Sequence, residues 1–310
     1  MKRIVFGIEL EGTRMPDQWE VRTWECNGVM ERSVRQMIDW QEVADHGFHF
    51  VPEPAETLED RLAALLRSRE MAPGKLVEEM ILEVEAEIEE KRLRCLRKAA
   101  QRAKQQCRRA IITEGFDELL TLTYRENQTD RTLCKKHFKE WVRRMSKALH
   151  GFRYCASFER QERGAMHVHL ATHKLPKHAT FKGATVKAWS LGTKIWRSIV
   201  GENNGMCHVG GRTKFGGARR NLGLAKMAAY VSKYIMKDYE LSPPGSNRYS
   251  RSLGQPVAKP EVMRFYDCSL QDIITLTFEL GEGDTLISHR LGQWKDSLWL
   301  CTEGRKPPLH

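Results

Sequence analysis

Two histidines flank a single valine in the stretch FERQERGAMHVHLAT, residues 158–172. Successive side chains of an extended strand point to opposite faces, so His167 and His169 share one face and Val168 takes the other. Glu162-Arg163-Gly164 reads as a turn, with Gly164 free to adopt a positive φ. A hairpin centred there sets Glu159 across from the two histidines, at the roughly 5 Å of cross-strand neighbours. Two imidazoles and one carboxylate on a sheet face make a three-point site with open positions. Such a site suits a divalent ion that must also hold a phosphate oxygen. An isolated His-X-His is more often two histidines with ordinary hydrogen bonds, and the carboxylate at hairpin spacing is what favours a metal. Gln161 shares the parity of Glu159 but lies closer to the turn. His173 shares the parity of the histidines but falls at the strand end, which makes it a poor ligand.

A second cluster is YVSKYIMK at 230–237. Tyr230 and Tyr234 stand at i and i+4, so on a helix both hydroxyls emerge from one face, with Lys233 and Lys237 on an adjoining one. Tyrosines at this spacing are usually core packing with a wet tip. Two lysines beside them supply positive charge where an anion would sit.

The elements that must position these groups follow from periodicity. Phe116–Tyr124, FDELLTLTY, suits a central strand. Arg131–Leu149 is an amphipathic helix, with Leu133, Phe138, Trp141, Val142 and Met145 on one side. Phe152–Glu159 and Ala165–Thr172 are the two hairpin strands. Ala184–Val200 reads as a helix with Trp189 and Trp196 facing the core, and Met206–Val209 as a short strand. The glycine-rich stretch GGRTKFGGARR at 210–220 is a basic loop, and Lys214, Arg219 and Arg220 are its candidate DNA contacts. Asn221–Asp238 is the last strong helix, ended by Pro243, Pro244 and Gly245. The fold class is α+β, a small antiparallel sheet with flanking helices.

Upstream, 57–70 and 73–110 read as helices, the second with an apolar stripe of Leu76, Met80, Val84 and Ile88. Its charge turns from acidic over Glu78–Glu90 to basic over Lys91–Arg109. That order matches the helix dipole, and a surface for the DNA backbone accounts for it equally well. Residues 1–55 mix a strand over Arg3–Ile8 with tryptophan-bearing segments and read as an accessory region. Residues 269–310 hold one more apolar run, Ile273–Leu280, in a tail without an assignable role.

Bulk properties narrow the partners. The 310 residues carry a net charge of +11, with pI near 9.3, favouring an anionic partner such as nucleic acid. The eight cysteines are scattered with no Cys-X-X-Cys pair, against a zinc ribbon or a secreted disulfide scaffold, so reduced thiols are expected. No run approaches the roughly 18 apolar residues of a membrane span. Glu9 and Glu11 interrupt the N-terminal apolar run, making it a poor signal peptide, and a cytoplasmic protein is expected. No GxxxxGK[ST] is present, so an unwinding partner would have to come from the host.

LLTLTY, then the His-hydrophobic-His pair, then YVSKYIMK resemble, in order and spacing, the three motifs of the HUH endonuclease superfamily. The paired tyrosines are similar to those of two-tyrosine rolling-circle replication initiators, the class of phage gene A proteins and plasmid Rep proteins. NRYSRSLG at 247–254 resembles a stretch found downstream in these initiators. The resemblance spans roughly residues 111–265. It implies an HUH, RRM-like nuclease fold over 111–268, beside an accessory region at 1–55, a charged helical region at 56–110 and a tail at 269–310. It further implies Mg²⁺ or Mn²⁺ on Glu159, His167 and His169, and site-specific nicking and rejoining of single-stranded origin DNA through a 5′-phosphotyrosyl link. Tyr234 would attack first, as the position that single-tyrosine relatives keep, and Tyr230 second. Lys233 and Lys237 would hold the phosphate or lower a tyrosine pKa. Host helicase and polymerase are the implied partners. An HUH transposase or relaxase is the nearest alternative, although relaxases tend to place their tyrosines before the histidines. A DNA-binding regulator without catalysis and a phosphodiesterase using metal-bound water are the others.

Overall fold

The computed structural model describes residues 1–5, 8–43, 57–181, 183–212, 219–220, 223–237, 239–240 and 245–304. Along the chain, β1 (Lys2–Val5), β2 (Ile8–Cys26) and β3 (Val29–Glu42) precede α1 (Leu58–Met71) and α2 (Lys75–Glu114). The central part holds β4 (Glu118–Tyr124), α3 (Arg131–Ala148), β5 (Tyr154–Arg160), β6 (Met166–Thr172), β7 (His178–Phe181), β8 (Ala184–Lys187), α4 (Ala188–Val200) and β9 (Gly205–Val209). After it come β10 (Gly211–Arg212), β11 (Arg219–Arg220), α5 (Leu224–Lys233), a 3-10 turn over Tyr234–Met236, and β12 (Tyr249–Arg251). The chain closes with β13 (Glu261–Phe265), α6 (Leu270–Glu279), β14 (Thr285–Leu291) and β15 (Ser297–Glu303). This is the α+β class expected.

Two compact units result, and they do not follow the segment boundaries expected from the sequence. One joins 1–25 and 30–95 to 259–310; the other holds 26–29 and 96–258. In the first, strands run β1-β2-β3-β15-β14, with β13 also paired to β2. The tail is therefore structural, since β14 and β15 belong to the same sheet as the N-terminal strands. Trp19, Val21 and Val34 pack with Ile273 of α6 and Leu298 of β15. Ser269 starts α6 with a capping box, its hydroxyl accepting from Asp272 N–H while the Asp272 carboxylate accepts from Ser269 N–H.

The second unit is built on an antiparallel sheet in the order β12-β5-β6-β4-β9. Alternation sorts its residues. Leu120, Leu122, Phe158, Val168 and Leu170 turn to one face, where they meet Phe138, Trp141 and Met145 of α3 and Leu191, Ile195 and Trp196 of α4. Asp130 begins α3 by accepting from the N–H groups of Thr132 and Leu133. The indoles that fill this layer also satisfy their polar edge: Trp141 Nε1 donates to Gly192 O and Trp196 Nε1 to Thr123 O. Gly205 makes the close approach of β9 possible, since a Cβ there would lie 2.5 Å from Trp196 Cδ1 and 2.8 Å from Val200 Cγ2. Gly205→Ala is expected to cost about 1–3 kcal/mol through overpacking, measured as a lowered urea midpoint with the slope unchanged.

Several local expectations are corrected. The expected helix over Ala184–Val200 begins only at Ala188, because Ala184–Lys187 pairs with His178–Phe181 around Gly183 at φ +78°. Of its two tryptophans, Trp196 is in the core, and the Trp189 side chain lies outside the described residues. The last strong helix is α-helical from Leu224 to Lys233 and tightens to 3-10 at Tyr234. Residues 221–222 and 238 of the expected span, with Pro243 and Pro244 after it, lie outside the described ones. Leu76 is 70% exposed, and the buried stripe of α2 instead runs through Ile81, Val84, Leu96, Ala100 and Cys107. Helix α2 also continues past residue 110 to Glu114 and has no basic residue in its last turn, so its basic run does not serve the helix dipole. Among the described residues, no helix is long and apolar enough to cross a membrane. All eight cysteines are free thiols.

Candidate metal centre and tyrosine pair

Strand β6 is buried along its whole length, MHVHLAT, and imidazoles in such a strand need partners. The hairpin register supplies them. Glu159 pairs with His167, Ser157 with His169, and Phe158 with Val168. The register is set by the turn: Gly164 at φ +90° donates to Gln161 O at 2.8 Å, and Gln161 N–H donates to Ala165 O at 2.9 Å. Arg163 ties the turn to the end of β4, donating through Nη2 to Tyr124 O at 2.9 Å and through Nε to Gln161 Oε1 at 3.2 Å. Gln161 is therefore drawn toward the turn and away from the cluster. His173 sits apart as well, its ring edge-on to Phe116 at 4.9 Å.

Glu159, His167 and His169 converge, with one donor atom from each lying within 4.8 Å of the others. All three are buried. His169 Nε2 is 2.7 Å from Glu159 Oε2, and Lys237 Nζ donates to Glu159 Oε1 at 2.6 Å. The other ring nitrogen of His169 meets Thr121 Oγ1 at 3.2 Å. Burial by itself raises the Glu159 pKa, but the hydrogen bonds from His169 and Lys237 outweigh it, and the carboxyl is held below its ordinary value. His167 is pushed down to about 4, first by burial and then by the neighbouring His169. At neutral pH the set thus offers an ionised carboxylate and a neutral imidazole, the forms that bind a divalent cation. The donor set fits Mg²⁺ or Mn²⁺ in chemistry, and His169 can join it once its Nε2 gives up any proton shared with Glu159.

Helix α5 and its 3-10 end lie over the same face. Ser157 Oγ donates to Val231 O at 2.6 Å and pins the helix one row from the cluster. The Tyr234 ring stacks on His169 with centroids 4.1 Å apart and 12° between planes, and Tyr230 meets the same imidazole edge-on at 5.7 Å. The two tyrosines meet each other edge-to-face at 5.4 Å. Lys233 Nζ hangs 4.4 Å from the Tyr230 ring centre and 4.8 Å from that of Tyr234. Tyr234 is buried and Tyr230 half-buried.

The lysines do not play the part expected of them toward Tyr234. Its hydroxyl is pushed up, by burial first and then by a hydrogen bond with Tyr230, so its pKa is not lowered. Lys237 is instead ion-paired to Glu159. Of the loop contacts expected, Lys214 lies outside the described residues, and Arg219 and Arg220 form the short strand β11 paired with Gly211 and Arg212. Sequence reasoning missed Thr121, Ser157 and Arg163. The alternation Leu-Thr-Leu-Thr in β4 was a signal for the first, because it places Thr121 and Thr123 opposite His169 and His167. NRYSRSLG supplies β12, whose Tyr249, Ser250 and Arg251 pair with Ser157, Ala156 and Cys155.

Fold and site together define a layered α+β protein in which a His-His-Glu cluster on an antiparallel sheet faces two tyrosines from a covering helix. Residues 117–239 match the model of a replication-associated protein family, that of the ORF2 replication proteins. The matched segment holds the cluster and both tyrosines and supports a replication-initiator role. No curated protein and no solved structure matches the chain.

Proposed function

We propose that this protein is a rolling-circle replication initiator that nicks and rejoins single-stranded origin DNA through a 5′-phosphotyrosyl link. One observation carries the reading: the ring of Tyr234 lies against His169, a member of the cluster, inside the segment similar to replication-associated proteins. Glu159, His167 and His169 would hold Mg²⁺ or Mn²⁺, which when bound supplies positive charge against the scissile phosphate. Tyr234 gives its oxygen to phosphorus, losing its proton, while the bond to the 3′ oxygen breaks and that oxygen takes up a proton. The free 3′-OH primes synthesis. The covalent link stores the bond for rejoining, and Tyr230 serves the second transfer. Lys233, with its ammonium over both rings, lies where it can pair with the phosphate. Host helicase and polymerase would supply unwinding and synthesis.

The test uses single-stranded oligonucleotides tiling the protein's own replicon, incubated with Mn²⁺. A protein–DNA adduct that survives denaturant is expected, and it is expected to vanish with chelator and with His167→Ala. Cleavage without an adduct would indicate a hydrolase using water. Binding without cleavage by any oligonucleotide would indicate a non-catalytic regulator.

A further inference from the structure

We propose that the exposed face of the second half of α2 is a docking surface for the phosphate backbone of double-stranded DNA. It rests on the reading above only in that the partner is DNA. From Lys91 to Thr113 the helix carries basic residues and no acidic one. Lys91, Arg94, Lys98 and Arg102 follow one another at spacings of three and four, so they lie along one stripe, and all are exposed. Leu96, Ala100 and Cys107 are buried on the opposite side.

Three bland accounts of this charge fall short. The dipole account fails because the helix runs on to Glu114 without a basic residue in its last turn. Pairing within the helix explains Arg92, bound to Glu89, and Arg94, bound to Glu90. It does not reach Lys98 or Arg102, whose i±3 and i±4 neighbours include no acidic residue. Solvation of an exposed face needs charge of either sign, and the first half of the same helix shows the ordinary mixture. Like charges at i and i+4, as in Arg94–Lys98 and Lys98–Arg102, work against the helix itself. A polyanion alongside reverses that sign.

The kind of polyanion follows from what the stripe lacks. Single-stranded nucleic acid is held by cations together with aromatic platforms for its bases. Residues 91–113 contain no aromatic side chain. Cations on a straight helix, spread over roughly 16 Å from Lys91 to Arg102 at 1.5 Å per residue, suit a regular phosphate backbone read without sequence.

The experiment measures binding of a duplex and of a single strand of equal length across a salt series. It compares the parent protein with Lys91→Gln/Lys98→Gln/Arg102→Gln, whose glutamines keep helix propensity. For the duplex, the slope of log K against log salt is expected to become shallower by about two to three units, since each lost phosphate contact removes about 0.9. The control Glu83→Gln/Glu87→Gln, on the acidic half, is expected to leave the slope as it was. An unchanged duplex slope in the triple variant, a loss confined to the single strand, or an equal loss in the control would each overturn the proposal. Adduct formation on the single-stranded oligonucleotide, read in parallel, tests the nuclease reading alone and is expected to survive the triple substitution.

Discussion

The double variant Tyr230→Phe/Tyr234→Phe is expected to form no covalent adduct and to lose cleavage by a factor on the order of 10⁶, as when a nucleophile is removed from a cooperating site. Phenylalanine keeps the ring of residue 234 on His169 and the edge-to-face contact between positions 230 and 234, so the loss reports on the hydroxyls and not on packing. The circular dichroism spectrum and oligonucleotide affinity should match those of the parent. The single variants are expected to differ. Tyr234→Phe removes the first cut, whereas Tyr230→Phe cuts and forms the adduct but does not complete the second transfer. Denaturing gels and mass mapping of the linked peptide check both. A denaturant-stable adduct in the double variant would place the nucleophile on another residue.

The second large effect belongs to Glu159. Glu159→Gln preserves size while removing the charge that His169 and Lys237 both contact. Mn²⁺ binding by calorimetry should weaken by at least about 10–100-fold, the loss seen even for residues that only support a metal ligand, and cleavage should fall with it. Thermal stability should change little, because the Lys237 side chain is 45% exposed and water can solvate its ammonium once the partner is gone. A variant that binds Mn²⁺ as tightly as the parent would remove Glu159 from the ligand set. A large fall in melting temperature would mean that the carboxylate mainly holds the covering helix in place.

Much of the site is local arithmetic. The shared face of His167 and His169 follows from the two-residue period of a strand. The alignment of Glu159 with His167 follows from a turn ended by Gly164, whose positive φ few other residues tolerate. The i, i+4 spacing of Tyr230 and Tyr234 likewise sets their common side. These relations depend on a few neighbouring residues, so composition and spacing reveal them.

The rest depended on pairings between residues distant in the chain. The sheet uniting β1–β3 with β13, β14 and β15 brings residues near 20 beside residues near 264, and no local pattern encodes such a register. The placement of α5 rests on contacts such as Ser157 Oγ to Val231 O, across 74 positions. That placement stacks Tyr234 on His169, hands Lys237 to Glu159, and buries the Tyr234 hydroxyl so that its pKa rises. Sequence alone determined which residues share a face. Only the tertiary structure decided which faces meet, because burial and desolvation belong to the packed pair and to neither element by itself.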